Sequence, residues 1–268
     1  MRADPATPMA RIALIGYGAL GRYLLRQLTV LLPQAQFALV VRKLPVQAPA
    51  NVALLTDAAL LQAWQPTLLI ECAGHGAVRD HAPAALRAGV DVIVASVGAL
   101  ADGALHTQLR DCARAGGSRL IAIAGAMGGL DALKAARGAG LSRVRYIGRK
   151  PPMSWGGTPA ADRFDLAALQ APTIIFEGSA GESARSYPKN ANVTAAVALA
   201  GVGFEQTQVT LVADPNVKHN CHELEVIGAF GEFHIHMANA PLPENPKTSW
   251  LTALSIEAEV RHYFDISI

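Results

Sequence analysis

A chain of 268 residues, 51% hydrophobic and 16% charged, is long enough for one large domain or two modest ones with real cores. A net charge of +2 with scattered Lys and Arg excludes a nucleic-acid footprint, and no apolar run approaches the ~18–20 residues of a membrane span. The three cysteines, Cys72, Cys112 and Cys221, show no metal spacing and suit free thiols in a reducing cytoplasm. Residues 1–10, with two prolines and no apolar core, read as a loose tail rather than a secretory signal. Short apolar runs then alternate with helical stretches: strands at 11–15, 36–41, 51–55, 67–73, 91–95 and 120–123, helices at 20–32, 57–64, 78–88 and 104–115. That alternation predicts a parallel sheet covered by helices. Beyond Gly125 the pattern turns β-rich. A helix at 130–139 and a strand at 143–149 precede a Pro/Gly-rich loop at 150–160. Strands at 173–177, 206–213, 223–230 and 232–237 follow, with a helix at 191–199 and a closing helix at 248–263. The expected organisation is a tail at 1–10, a dinucleotide-binding domain at 11–123, and a substrate and oligomerisation domain at 124–240. The C-terminal helical segment 241–268 is expected to pack back on the first domain.

Between the first strand and helix lies Gly16-Tyr17-Gly18-Ala19-Leu20-Gly21, a GxGxxG in the strand–turn–helix context that gives this motif its meaning. Gly16 serves the tight turn, Gly18 lets the backbone approach a pyrophosphate, and Gly21 lets the helix close on the strand. The helix N-terminus then offers N–H groups and a positive dipole end to phosphate. These features predict an α/β fold: an N-terminal Rossmann-type doubly wound parallel sheet plus a second α/β domain with a mixed sheet. NAD binding usually adds an acid about 20 residues on. Here the second strand ends Val40-Val41-Arg42-Lys43, so Arg42 either holds a 2′-phosphate, stacks on adenine, or is a solvated turn residue. The cofactor is NAD or NADP.

Three Gly/Ala-rich turns end strands of this domain: Glu71-Cys72-Ala73-Gly74-His75-Gly76, Ser96-Val97-Gly98-Ala99, and Ala124-Gly125-Ala126-Met127-Gly128-Gly129. They would form a smooth wall for a nicotinamide, with Ala73 and Gly74 in the first. Lys189-Asn190-Ala191-Asn192 opens a helix after Pro188; capping explains one asparagine and leaves the other for a ligand. The run His219-Asn220-Cys221-His222 supplies a candidate general base, since imidazole titrates near neutral pH. Extended backbone puts Cys221 and His222 on opposite faces, against a thiolate–imidazole pair. His234 and His236 share a strand face but lack a clear third ligand, so no metal is expected.

Taken together and in this order, IGYGALG, ECAGHG, SVGAL, AGAMGGLDAL, FEGSA, YPKNANVTAA and ADPNVKHNCHEL resemble the L-aspartate dehydrogenase family from about Arg11 to the C-terminal helix. The resemblance implies oxidation of L-aspartate with NAD or NADP to iminoaspartate, which hydrolyses to oxaloacetate and ammonia or feeds NAD biosynthesis, and the reverse reductive amination. It implies cofactor contacts at Ala124 and Asn190 and a catalytic histidine at His222, with His219 the alternative. Lys150, Lys189, Asn192 and Asn220 are candidates for the substrate's carboxylates. A homodimer or higher homo-oligomer in the cytoplasm is expected, with neither nucleic acid nor membrane as partner. Other readings are another oxidoreductase of amino-acid metabolism on this scaffold, of the homoserine or dihydrodipicolinate type, and a dinucleotide sensor without catalysis.

Overall fold

The computed structural model describes residues 9–47 and 49–266, so the expected tail lies outside the described residues except for Met9 and Ala10. Two compact units emerge, one running to Ala122 and resuming at Val260, the other spanning Ile123–Glu259.

The first unit strings together β1 (Arg11–Ile15), α1 (Ala19–Leu31), β2 (Gln36–Val40), β3 (Val52–Leu55), α2 (Ala58–Trp64), β4 (Leu68–Glu71), α3 (His75–Arg87), β5 (Asp91–Val94), α4 (Gly103–Gly116) and β6 (Leu120–Ala122). Its six strands are all parallel in the order β3-β2-β1-β4-β5-β6, a doubly wound sheet of Rossmann type. Ile12, Ala13, Leu14, Leu68, Leu69 and Ile70 are fully buried, as strands covered on both faces must be. Each large side chain so buried contributes roughly 1.5–3 kcal/mol. Helix α1 covers the sheet with Gly21, Leu24, Leu25 and Leu28, the spacing of one helical face. The strand order reverses between β1 and β4, and at such a switch point ligands bind outside the carboxyl ends of the strands.

The second unit holds α5 (Leu130–Ala136), β7 (Leu141–Lys150), α6 (Pro159–Arg163), β8 (Thr173–Ser179), α7 (Ala180–Ser186), α8 (Ala191–Ala200), β9 (Gln208–Ala213), β10 (Asn220–Gly228), β11 (Gly231–Asn239), β12 (Pro241–Leu242) and β13 (Asn245–Ser249). Its main sheet runs β11-β10-β7-β9-β8; β7 and β9 are parallel and the other neighbours antiparallel. Helix α9 (Trp250–Tyr263) starts in this unit and ends in the first. There Tyr263 lies under the Arg119 guanidinium at 4.9 Å, and its hydroxyl donates to Thr67 O at 3.4 Å.

Three local expectations need correction. The segment 241–268 is not helical from its start: 241–249 pairs β12 with β13 as a ribbon, and the helix begins at Trp250. Helix α7 was not anticipated, although Ser179 and Glu182 form a capping box at its start, each side chain bonded to the other's backbone N–H. Strand β7 continues to Lys150 instead of stopping before it, which puts Lys150 on the same strand face as Tyr146 and Gly148. Among the described residues, no helix is long and apolar enough to cross a membrane.

Candidate active site

At the switch point of the first unit opens a cleft of about 1030 Å³. Its walls come from the glycine loop, the end of β2 and the turn after β4, so Gly16, Gly18, Arg42, Ala73 and Gly74 all line it. Ala19, Leu20 and Gly21 stand beside it as the first turn of α1. Each glycine of the loop has a distinct reason. Gly16 has φ +96° and is pressed against Ala73, where a Cβ would meet Ala73 Cβ at 2.8 Å. A Cβ on Gly21 would stand 2.1 Å from Gly16 O, while one on Gly18 would meet nothing within 4 Å and project into open space. The loop is therefore closed tightly on itself and kept bare where a pyrophosphate would lie, so these residues fit a dinucleotide. Asp80 and His81 of α3 also line the cleft, and the Nδ1 of His81 is buried without a partner among the described residues. No spacing rule pointed to either.

Glu71 braces these turns. Fully buried at the end of β4, its carboxylate accepts from Ala73 N at 2.8 Å, Gly74 N at 2.7 Å, Ser96 N at 3.0 Å and Ser96 Oγ at 2.9 Å. One acid thus ties together the turns after β4 and β5 and satisfies their buried donors. An acid closing the run Leu68-Leu69-Ile70-Glu71 was the available signal, since burial there demands partners. Neighbouring Cys72 donates its thiol to Ile15 O at 3.1 Å, and burial pushes its pKa far up, so it stands as a thiol and not a nucleophile.

In the second unit, the turn 124–129 that carries Ala124 is seated on β11. Asn239 Nδ2 donates to Ala126 O at 2.7 Å, and a Cβ on Gly129 would meet Ile235 Cδ1 at 2.3 Å. The sheet brings His222 of β10 beside Tyr146 and Lys150 of β7. His222 is 3% exposed, and its Nδ1 lies 2.7 Å from the Tyr146 hydroxyl. Its Nε2 is buried and has no partner among the described residues. Burial, with help from the Lys150 charge, pushes the His222 pKa down to about 3, so the free imidazole is neutral at working pH. Lys150 is itself largely buried, which lowers its pKa to about 8; its Nζ lies 5.2 Å from the Trp155 ring centroid and donates to Asn190 Oδ1. No carboxylate among the described residues pairs with it.

Asn190 is the partner of the Lys150 ammonium. It occupies the N-cap position of α8, yet its side chain makes no cap bond and turns to Lys150 instead. Lys189 and Asn192 flank it and are exposed. Asn220, the first residue of β10, is half-buried and shares the His222 side of the strand by alternation. His219 is exposed in the bend before β10. Glu223 is turned to the opposite face, bonded to Arg149 at 2.6 Å, and His234 Nε2 stands 3.8 Å from its other oxygen.

The first unit carries a bare glycine cleft at the switch point of a parallel sheet, and the second a buried neutral imidazole and a lysine that pairs with no carboxylate among the described residues; the class is that of dinucleotide-dependent dehydrogenases. Residues 16–122 match the family model of the homoserine dehydrogenase NAD-binding domain, and residues 131–263 that of the aspartate dehydrogenase C-terminal domain. L-aspartate dehydrogenase of Ralstonia nicotianae is 44% identical, over 92% of this chain and 95% of its own. That of Pseudomonas aeruginosa is also 44% identical, over 97% of this chain and 100% of its own. The crystal structure of aspartate dehydrogenase from Thermotoga maritima superposes with a TM-score of 0.76 at 29% identity, covering 96% of this chain and 97% of that one. The chain belongs to the L-aspartate dehydrogenase family.

Proposed function

We propose that the protein oxidises L-aspartate at Cα with NAD or NADP, releasing iminoaspartate that hydrolyses to oxaloacetate and ammonia, and that it runs the reductive amination in reverse. The observation that carries this reading is that adjacent strands β7 and β10 put Lys150 and His222 on the same side of the sheet, a buried imidazole near a largely buried lysine that pairs with no carboxylate among the described residues. An amino acid with two carboxylates supplies what Lys150 lacks, and its ammonium supplies a proton for His222. The bound nicotinamide supplies the acceptor for the Cα hydride. Gly16, Gly18, Ala73 and Gly74, which line the cleft, would hold the dinucleotide; the family resemblance adds Ala124 and Asn190 as cofactor contacts. Asn190 accepts from Lys150 through Oδ1, which leaves its amide N–H groups for the cofactor. Lys150 and Asn220 would hold substrate carboxylate, and the exposed Lys189 and Asn192 would guide it in. His222 Nε2 takes the proton of the amine, or that of the water attacking the imine carbon.

Substrate-dependent formation of reduced nicotinamide, measured over a panel of amino and hydroxy acids with NAD and NADP side by side, tests the assignment. L-aspartate should give the highest kcat/KM. A preference for homoserine or a hydroxy acid would overturn it, and cofactor binding without turnover would leave a sensor.

The 2′-phosphate of NADP would be read at Arg42, which lines the cleft where β2 ends without an acid. Arg42→Ala should raise KM for NADP about tenfold or more, the value of one charge-assisted hydrogen bond, and leave KM for NAD within about twofold. Equal changes for both cofactors would make Arg42 a bystander. The same reading places the enzyme in a reducing cytoplasm, in keeping with its three free thiols, as a homodimer or higher homo-oligomer, which light scattering reads directly.

A further inference from the structure

The imidazole of His222 is backed by a phenol and not by a carboxylate, and the sheet is built to make that possible. In the ladder between β7 and β10, His222 faces Gly148 and Leu224 faces Tyr146, so Tyr146 and His222 are diagonal neighbours. The Tyr146 side chain reaches across Gly148 to bring its hydroxyl to Nδ1 at 2.7 Å, with the two rings at 18° and 6.0 Å between centroids. A Cβ at position 148 would stand 2.9 Å from that hydroxyl oxygen and 3.3 Å from Tyr146 Cζ. Gly148 is not at positive φ, so what the position requires is space and not a left-handed backbone. Its missing side chain is the passage of the phenol.

We propose that Tyr146 is the positioning residue of His222, and that rotation of its hydroxyl sets which tautomer Nε2 presents. This rests on His222 being the base of the proposed reaction. Donating to Nδ1, the hydroxyl leaves the ring proton on Nε2, a hydrogen-bond donor. Accepting from Nδ1–H, it leaves the Nε2 lone pair free. A proton taken at Nε2 then gives an imidazolium whose Nδ1–H stays bonded to the phenol oxygen. A carboxylate could only accept and would hold the ring in the Nδ1–H form, whereas a phenol can bond either neutral tautomer. Burial pushes the Tyr146 pKa far up, so the phenol remains a neutral rotor throughout. Among charged groups, Lys150 of β7 acts on the ring; β11 places Met237 opposite His222, and Glu223 and Arg149 occupy the other face.

Tyr146→Phe keeps ring and volume, so the fold should hold. Its kcat for aspartate oxidation should fall about 10–100-fold, part of the 10²–10⁴ given by a positioned acid–base group, with KM for the cofactor within about twofold. The acid limb of kcat should move to lower pH, because the imidazolium loses its one partner at Nδ1. The ¹⁵N shifts of His222 in the substrate-free enzyme should report an altered tautomer balance. Gly148→Ala should displace the phenol and change the same shifts in the same direction. Tyr146→Phe added to His222→Ala should slow the enzyme no further than His222→Ala alone. Wild-type kcat, pH profile and ¹⁵N shifts in Tyr146→Phe would overturn the proposal. If His222→Ala itself is near normal, the base assignment is what fails, and the ¹⁵N shifts still decide for or against Tyr146 as the partner that holds the ring.

Discussion

His222→Ala is expected to cut kcat for aspartate oxidation by roughly 10²–10⁴ while cofactor affinity barely moves. The residue belongs to β10 of the second unit and is not among the residues of the glycine loop that line the cleft of the first. Its Nε2 is buried without a partner among the described residues, and orphaned buried polar atoms are rare unless a ligand completes them. The depressed pKa has a direct consequence. With burial and Lys150 holding it near 3, well below the ordinary histidine value, His222 is already deprotonated across pH 5–9 in the free enzyme. The base form is thus present at neutral pH, and kcat/KM, which reports the free enzyme, should show no limb between pH 5 and 7 that disappears in His222→Ala. His219→Ala should be nearly silent, because His219 is exposed in the bend before β10. Steady-state kinetics on both variants decides between them; a crippled His219→Ala beside a near-normal His222→Ala would reverse the assignment and leave the family untouched.

What could be read from the residues divides by range. The glycine loop, the parallel order of the first sheet and the shared side of Asn220 and His222 all follow from local periodicity and turn chemistry, and each is found in place. The partnerships of the second sheet are another matter. Tyr146 and His222 lie 76 positions apart and are joined by strand pairing, and Lys150 and Asn190 lie 40 apart and are joined by tertiary packing of the turn before α8. Asn190 shows how a local preference misleads: asparagine favours N-caps, but an uncompensated buried ammonium outcompetes a helix N–H for its oxygen. Glu71 was visible as an acid at the end of an apolar strand, yet its four donors come from two separate turns. Helix α7 had a legible start in Ser179 and Glu182; its seven residues are too few for a helical period to stand out from the β-rich pattern around them.

Gly18→Val should abolish tight dinucleotide binding and leave the fold intact. Gly18 has φ −73°, which any residue adopts, and a Cβ there meets nothing within 4 Å. The added side chain therefore strains neither backbone nor core. It occupies the mouth of the cleft, between the N-terminus of α1 and the space a pyrophosphate needs. Contacts between phosphate oxygens and backbone N–H groups are charge-assisted and contribute about 1.5–3 kcal/mol each. Losing two of them lowers affinity by about 100-fold or more. Gly21→Val makes the contrast: its Cβ would overlap Gly16 O at 2.1 Å, so α1 and β1 must separate and the melting temperature must fall. Titration calorimetry with NAD and NADP, paired with thermal unfolding, reads both effects. Cofactor affinity unchanged in a well-folded Gly18→Val would show that the dinucleotide lies elsewhere, whereas a stable Gly21→Val would mean the loop does not close on the helix as the geometry requires.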